Sequence, residues 1–191
     1  TITITAPSAG AYITNTTPTI EFQVKDTDSG VNAGTIAVTV DGTVVSTVTK
    51  TAIDGGYKCT CTSPTLKDGS HTISVKASDN DGNAAAAKTA TFTVDTVPPT
   101  LQNTAPSNDL VTNKKTVTVS GKTDDVSSKP VTVTVNGATV TVGTDGTFTK
   151  DVTLAEGANT ITIVAKDKAG KTTTVTRKVT VDTSAPVIKS I

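Results

Sequence analysis

The chain is written twice. Thr5-Ala6-Pro7-Ser8 returns as Thr104-Ala105-Pro106-Ser107 at an offset of 99, and Val40-Asp41-Gly42 returns as Val135-Asn136-Gly137 at 95. Asp54-Gly55-Gly56-Tyr57 matches Asp145-Gly146-Thr147-Phe148 at 91, Leu66 to Ile73 matches Leu154 to Ile161 at 88, and Val94-Asp95-Thr96 matches Val181-Asp182-Thr183 at 87. A pattern used twice must close its own core within half of 191 residues, which demands two domains rather than one large one. The offset falls between the matched blocks, where loops tolerate deletions. The domains are therefore expected at 1–97 and 98–186. Thr96-Val97-Pro98-Pro99 and Thr183-Ser184-Ala185-Pro186 close the two copies alike, and residues 187–191 read as the start of a further repeat or a tail, as in a piece of a longer array.

Within each copy, apolar and polar residues alternate with period two, the signature of half-buried strands. The alternation is written mostly in two β-branched residues: Thr fills 44 positions and Val 25. Such side chains are stiff at χ1 and suit a pleated surface. Strands are predicted near 2–5, 18–25, 35–40, 43–49, 57–62, 71–78 and 87–94, and again near 101–104, 115–120, 131–135, 138–142, 147–153, 159–166 and 172–181. Asp41-Gly42 and Asn136-Gly137 each separate two alternating runs, the strongest short hairpin signal because both central residues of a type I′ turn need positive φ. About seven short strands per copy, with turn signals every 8–12 residues, describe an all-β fold. The expected architecture is two tandem immunoglobulin-like antiparallel β-sandwiches joined by a short Pro-containing linker. Pro98 and Pro99 fix φ and restrict their neighbours, so the link is expected to be semi-rigid.

Three stretches of copy two carry a resemblance: Leu154-Ala155-Glu156-Gly157-Ala158-Asn159-Thr160-Ile161, then Ala165-Lys166-Asp167-Lys168-Ala169-Gly170-Lys171, then Val181-Asp182-Thr183-Ser184-Ala185-Pro186. Copy one has Ala77-Ser78-Asp79-Asn80-Asp81-Gly82-Asn83 and Val94-Asp95-Thr96-Val97-Pro98. Together they resemble the bacterial immunoglobulin-like repeats of surface and secreted proteins, over essentially the whole chain. Lys171 departs from the usual Asn, and His71 stands where copy two has Asn159. The resemblance implies a non-catalytic spacer or stalk of a bacterial surface or secreted multidomain protein, with neighbouring domains of the same chain as partners. An adhesin-type module gripping a cell-wall or host-surface protein or glycan through sandwich-end loops is the alternative. The chain is expected to be extracellular or on the cell surface, monomeric, and without a cofactor. Its formal charge of +0 gives no field for nucleic acid, and no apolar run approaches the roughly 20 residues needed for a membrane span.

The segments also suggest structural roles. Gly69 and Gly157 permit the left-handed backbone of a corner, and His71 or Asn159 can cap loose backbone groups there. Asp79 and Asp167 can accept N–H groups across the turns closed by Gly82 and Gly170. No Ser-His-Asp arrangement recurs, because copy two has no histidine. Cys59 and Cys61, one residue apart on a predicted strand, should share a face at a separation unsuited to a disulfide; buried free thiols are expected, a strained local disulfide being the alternative. The acidic clusters Asp26-Thr27-Asp28, Asp79-Asn80-Asp81 and Asp124-Asp125 could offer oxygen ligands to calcium, with Asp26, Asp28, Asp79, Asp81 and Asp95 as the residues to inspect, although none fits an EF-hand loop. Of Tyr12, Phe22, Tyr57, Phe92 and Phe148, the alternation turns most inward, which disfavours a glycan platform.

Overall fold

A computed structural model of the chain describes residues 1–187, and among these there are strands and turns and no helix. The chain divides into two compact units, Thr1–Thr96 and the remainder from Val97. Of the segment 187–191, only Val187 falls within the described residues, so the further repeat read there lies outside them.

The first unit has nine strands: β1 (Ile2–Ala6), β2 (Tyr12–Ile13), β3 (Thr19–Lys25), β4 (Val31–Val40), β5 (Thr43–Val44), β6 (Thr49–Ile53), β7 (Gly56–Thr62), β8 (Gly69–Asp79) and β9 (Lys88–Val94). They form two sheets, β1-β3-β7-β6 and β2-β9-β8-β4-β5. The second unit has eight: β10 (Thr100–Ala105), β11 (Leu110–Thr112), β12 (Thr116–Asp124), β13 (Thr132–Val135), β14 (Ala138–Val140), β15 (Thr147–Thr153), β16 (Gly157–Lys166) and β17 (Thr172–Val181). Its sheets are β10-β12-β15 and β11-β17-β16-β13-β14.

The repeated Thr-Ala-Pro-Ser motif sits where each unit's first strand leaves one sheet for the other. β1 pairs antiparallel with β3, its register slips between Ile4 and Ala6, and the chain then joins β9 as the parallel strand β2. β10 and β11 repeat the manoeuvre, with a slip between Asn103 and Ala105. Strands of two and three residues hold too few alternations to register as a period, so β2 and β11 escape a sequence reading. The run 43–49, expected as one strand, is split: β5 stays with β4, while β6 crosses to pair with β7. In the second unit that crossing strand is reduced to a single bridge, Val142 to Phe148. The hairpin turns fall as expected, Asp41 and Gly42 at φ 50 and 80, Asn136 and Gly137 at φ 49 and 80.

Each unit closes over its own core. Ile20, Phe22, Val38, Ile73, Val75 and Phe92 dominate the first; Val119, Val133, Ile161, Ile163 and Phe148 dominate the second. The register also corrects the alignment of one repeat. Ala6 opposite Glu21 and Ala105 opposite Ser120 set an offset of 99, so Phe22 corresponds to Gly121. Cys59 faces Phe22 and Phe148 faces Gly121, so the counterpart of Phe148 is Cys59, two residues beyond the Tyr57 that the Asp-Gly motif suggests. One slot is thus filled from opposite strands: a ring on β3 over a small thiol, or a ring on β15 over a glycine.

Chain direction is the other feature that bears on function. In the first unit Thr1 pairs with Lys25, and Asn80 bonds to Ser29 and Gly30, so the entry point, the 26–30 loop and the 79–83 turn share one pole. Val94 lies opposite Gly69, ten residues from Asp79 along β8, so the chain leaves at the other pole. In the second unit Thr100 lies opposite Asp124 at entry, and Val181 opposite Gly157 at exit. At the rise of a strand, entry and exit are about 30 Å apart in each unit.

Candidate functional site

Four groups of side chains can be built from these elements, the first at the corner before β8 and β16. Gly69 and Gly157 take φ 136 and 88, which a Cβ would strain. In the second unit Asn159 Nδ2 donates to the Ala155 and Gly157 carbonyls and its Oδ1 accepts the Ala155 N–H. In the first unit His71 occupies this place, 8 % exposed and stacked at a tilt 5.6 Å from the Phe92 ring. Its Nε2 donates to the Lys67 carbonyl at 2.8 Å, and its Nδ1 lies 2.7 Å from Asp41 Oδ2. Asp41 belongs to the β4–β5 turn and accepts the Thr72 N–H on Oδ1, as Asn136 accepts that of Thr162. Burial opposes charge on the ring, but the Asp41 bond, the Lys67 carbonyl and the Asp41 charge outweigh it, and the His71 pKa lies above the ordinary histidine value. For Asp41, burial pushes the other way, and the His71 bond, the Thr72 N–H and the His71 charge bring the net pKa below the ordinary carboxylate value. Asp41 is the partner that sequence reasoning missed, because it lies 30 residues from His71.

A second group fastens the exit of each unit. The Thr96 N–H and hydroxyl donate to the two oxygens of Asp68, both at 3.0 Å, and those of Thr183 donate to the two oxygens of Glu156, both at 2.8 Å. This clasp gives a physical reason why an acid before Gly69 or Gly157 recurs with the Val-Asp-Thr ending. At the entry of the second unit Pro98 is exposed and Pro99 buried, and the Thr173 hydroxyl donates to the Pro99 carbonyl.

The third group is the acidic turns. Asp26 Oδ2 accepts the Ser29 and Gly30 N–H groups, and Asp79 accepts the Asn83 N–H on Oδ1 and its side-chain amide on Oδ2. Asp28 and Asp81 are exposed, and Asp95 is buried just past β9, its N–H bonded to the Ile13 carbonyl. Among the described residues, no three of Asp26, Asp28, Asp79 and Asp81 offer oxygens within 4.8 Å of one another. Gly82 and Gly170 close the two turns at φ 90 and 91, and Asp167 Oδ1 accepts the Lys171 N–H.

The fourth is the thiols. Cys59 and Cys61 are free and both buried on one face of β7. Burial, reinforced by the charge that Cys59 would carry, pushes the Cys61 thiol up to about 11; burial also raises Cys59, opposed by Lys50. Neither is a poised nucleophile. Both are expected to label at least about 100-fold more slowly in the folded chain than in denaturant, since reaction requires opening of the sandwich. Stoichiometric labelling of the native chain at the rate of a free thiol would contradict this. The three phenylalanines are buried and the two tyrosines half-buried, so no aromatic platform faces solvent.

Residues 5–96 match the family model described as a bacterial Ig-like domain. The first unit is a bacterial Ig-like domain. Residues 99–183 match the model of glucodextranase domain B, so the two Ig-like units, though repeated, have diverged toward different models. The chain is 30 % identical over 188 residues to Bacillopeptidase F of Bacillus subtilis (strain 168), covering 98 % of this chain and 12 % of that protein. It therefore spans about an eighth of the length of that relative. Among solved structures, the fibronectin(III)-like modules of Clostridium thermocellum CbhA superpose with TM-score 0.56 at 20 % identity, covering 95 % of this chain and 94 % of that one. The titin domains I67–I69 superpose at 0.53 and 12 % identity, covering 94 % of this chain and 65 % of theirs. These likenesses establish the all-β sandwich fold of the Ig-like pair.

Proposed function

We propose that the pair is a non-catalytic spacer of a secreted or surface-anchored bacterial protein, holding neighbouring domains of the same chain apart. One observation carries the reading: each Ig-like unit takes the chain in at one pole and releases it at the other, so every repeat adds about one strand length between the domains on either side. The exit clasp and Pro98-Pro99 support it, since both stiffen the points where one unit hands the chain to the next. The likeness to a small part of Bacillopeptidase F favours a multidomain, exported parent. The side-chain groups above are bonded mainly to backbone of their own unit, as structural fastenings are.

Small-angle scattering of the chain tests this. A compact body of this length has a radius of gyration of about 16 Å. The spacer reading expects a clearly larger value, roughly 22 Å or more, and a compact value would overturn it. Screening the same protein on glycan and host-surface arrays provides the second arm: saturable binding would favour an adhesin module instead.

A further inference from the structure

We propose that Asp125 and Asp167 together bind one calcium ion at the entry pole of the second unit, a site that does not depend on the spacer reading. Two segments meet there, the loop after β12 and the turn between β16 and β17. Asp125 Oδ1 accepts the Ser127 and Ser128 N–H groups at 2.8 and 2.7 Å. Ser128, fully buried, accepts the Lys168 N–H on its carbonyl and the Ala169 N–H on its hydroxyl. Asp167 Oδ1 accepts the Lys171 N–H at 2.8 Å. Each carboxylate is thus held by the backbone through one oxygen.

The remaining oxygen of Asp167 is the anomaly. Asp167 is 5 % exposed and Asp125 6 %, and Asp167 Oδ2 is buried with no hydrogen-bond donor among the described residues. A carboxylate oxygen taken from water without a donor loses its hydration uncompensated, and a second carboxylate close by adds repulsion. The two groups bring oxygens within 4.8 Å of each other. Two oxygens that each bind one calcium at about 2.3–2.6 Å can be at most roughly 5 Å apart, so that spacing can be spanned by a single ion. The cation would supply the missing partner and cancel the repulsion at once.

The first unit shows why the orphan exists. Asp26 and Asp79 hold the corresponding places, and there the Asn83 amide covers Asp79 Oδ2 at 2.9 Å. At the position of Asn83 the second copy has Lys171. The amide that completes the turn in one copy is lost in the other, and the buried oxygen is left facing a second acid. Two carboxylates provide two to four of calcium's six to eight oxygens and water the rest, which sets a dissociation constant of about 0.1–1 mM.

Calorimetric titration of the chelator-treated full chain with calcium chloride is expected to show one site of that strength. Differential scanning calorimetry in 10 mM calcium should show the second unit's transition raised by roughly 5–15 °C and the first unit's unmoved. Asp167→Asn should abolish both effects. Lys171→Asn, which restores the amide of the first copy, should fold normally and bind at least about 10-fold more weakly, so the test survives if Asp167→Asn fails to fold. Absence of heat and of any shift in the native chain, or undiminished binding by Lys171→Asn, would overturn the proposal.

Discussion

Phe148→Ala is expected to lower the melting temperature of the second unit by roughly 15–30 °C while leaving the first unit's transition in place. Phe148 is the one aromatic residue from Val97 onward, and it is 3 % exposed. Its ring lies over Gly121: a Cβ built there would fall 2.6 Å from Cζ and 2.9 Å from Cε1. The ring therefore fills its own space and that of the absent side chain across the ladder. Truncation leaves a cavity, and the Gln102 carbonyl, 2.4 Å from the same built Cβ, bars its filling by a side chain at Gly121. Such a change costs about 3–5 kcal/mol, a large part of the 5–15 kcal/mol typical of a domain. Phe22→Ala is the mirror experiment in the first unit. Tyr57→Ala is the discriminating control: the Asp-Gly motif pairs it with Phe148, but Tyr57 is only half-buried and should cost under about 2 kcal/mol. Scanning calorimetry of the three variants checks all of this. A common shift of both transitions, or a larger loss for Tyr57→Ala, would break the claim of two separate cores with swapped packing.

That swap marks where the sequence stops being readable. Period-two alternation locates Val119, Val133 and Ile161 as core positions because each lies in a run long enough to show its phase. The Asp41-Gly42 and Asn136-Gly137 turns are readable because few dipeptides tolerate positive φ twice in succession. Phe22 and Cys59, by contrast, are paired across two strands, and a pair can exchange sizes without disturbing either alternation. The Asp-Gly motif then aligns Phe148 two residues away from its true counterpart, since a slip of two keeps the face. Sheet crossing is hidden for a related reason: the two-residue β5 and the first residue of β6 lie in one Thr-Val run, 43–49, and only the partner strand distinguishes them. Pairs such as Asp41 with His71 and Asp125 with Asp167 depend on which loops share a pole, which is a property of topology and not of any local motif. The exit clasp shows in the sequence as two recurring motifs, but not as the pair of hydrogen bonds that joins them.

His71→Ala is the second large change, and it carries a pH signature that truncation of a purely apolar residue would lack. The substitution removes the ring against Phe92, breaks a bond to an ionised carboxylate and leaves the Lys67 carbonyl without its donor. Hydrogen bonds to charged groups contribute about 1.5–3 kcal/mol and a buried aromatic contact about 0.5–1.5 kcal/mol, so a loss of about 3 kcal/mol is expected in the first unit at pH 6. The pH course follows from the two pKa directions. His71 lies above the ordinary histidine value, so its contribution is complete below about pH 6.5 and is lost as pH rises through the higher folded value. Asp41 lies below the ordinary carboxylate value, so its share is complete above about pH 4 and is lost as pH falls through the lower folded value. The first unit is therefore most stabilised by this pair between about pH 4 and 6.5, and weakens into the alkaline range. At the same corner the second unit carries Asn136 and Asn159, which do not titrate, so this corner contributes no such slope there. Asp41→Asn separates the effects: its amide oxygen can still accept the Thr72 N–H, as Asn136 does for Thr162, while the charge is gone. Denaturant unfolding followed from pH 4 to 9 should show the first unit's slope flattened in Asp41→Asn and absent in His71→Ala. A wild-type first unit whose stability is level across pH 6 to 8 would mean that His71 sits there as a neutral spacer, and that the carboxylate beside it contributes nothing to the corner.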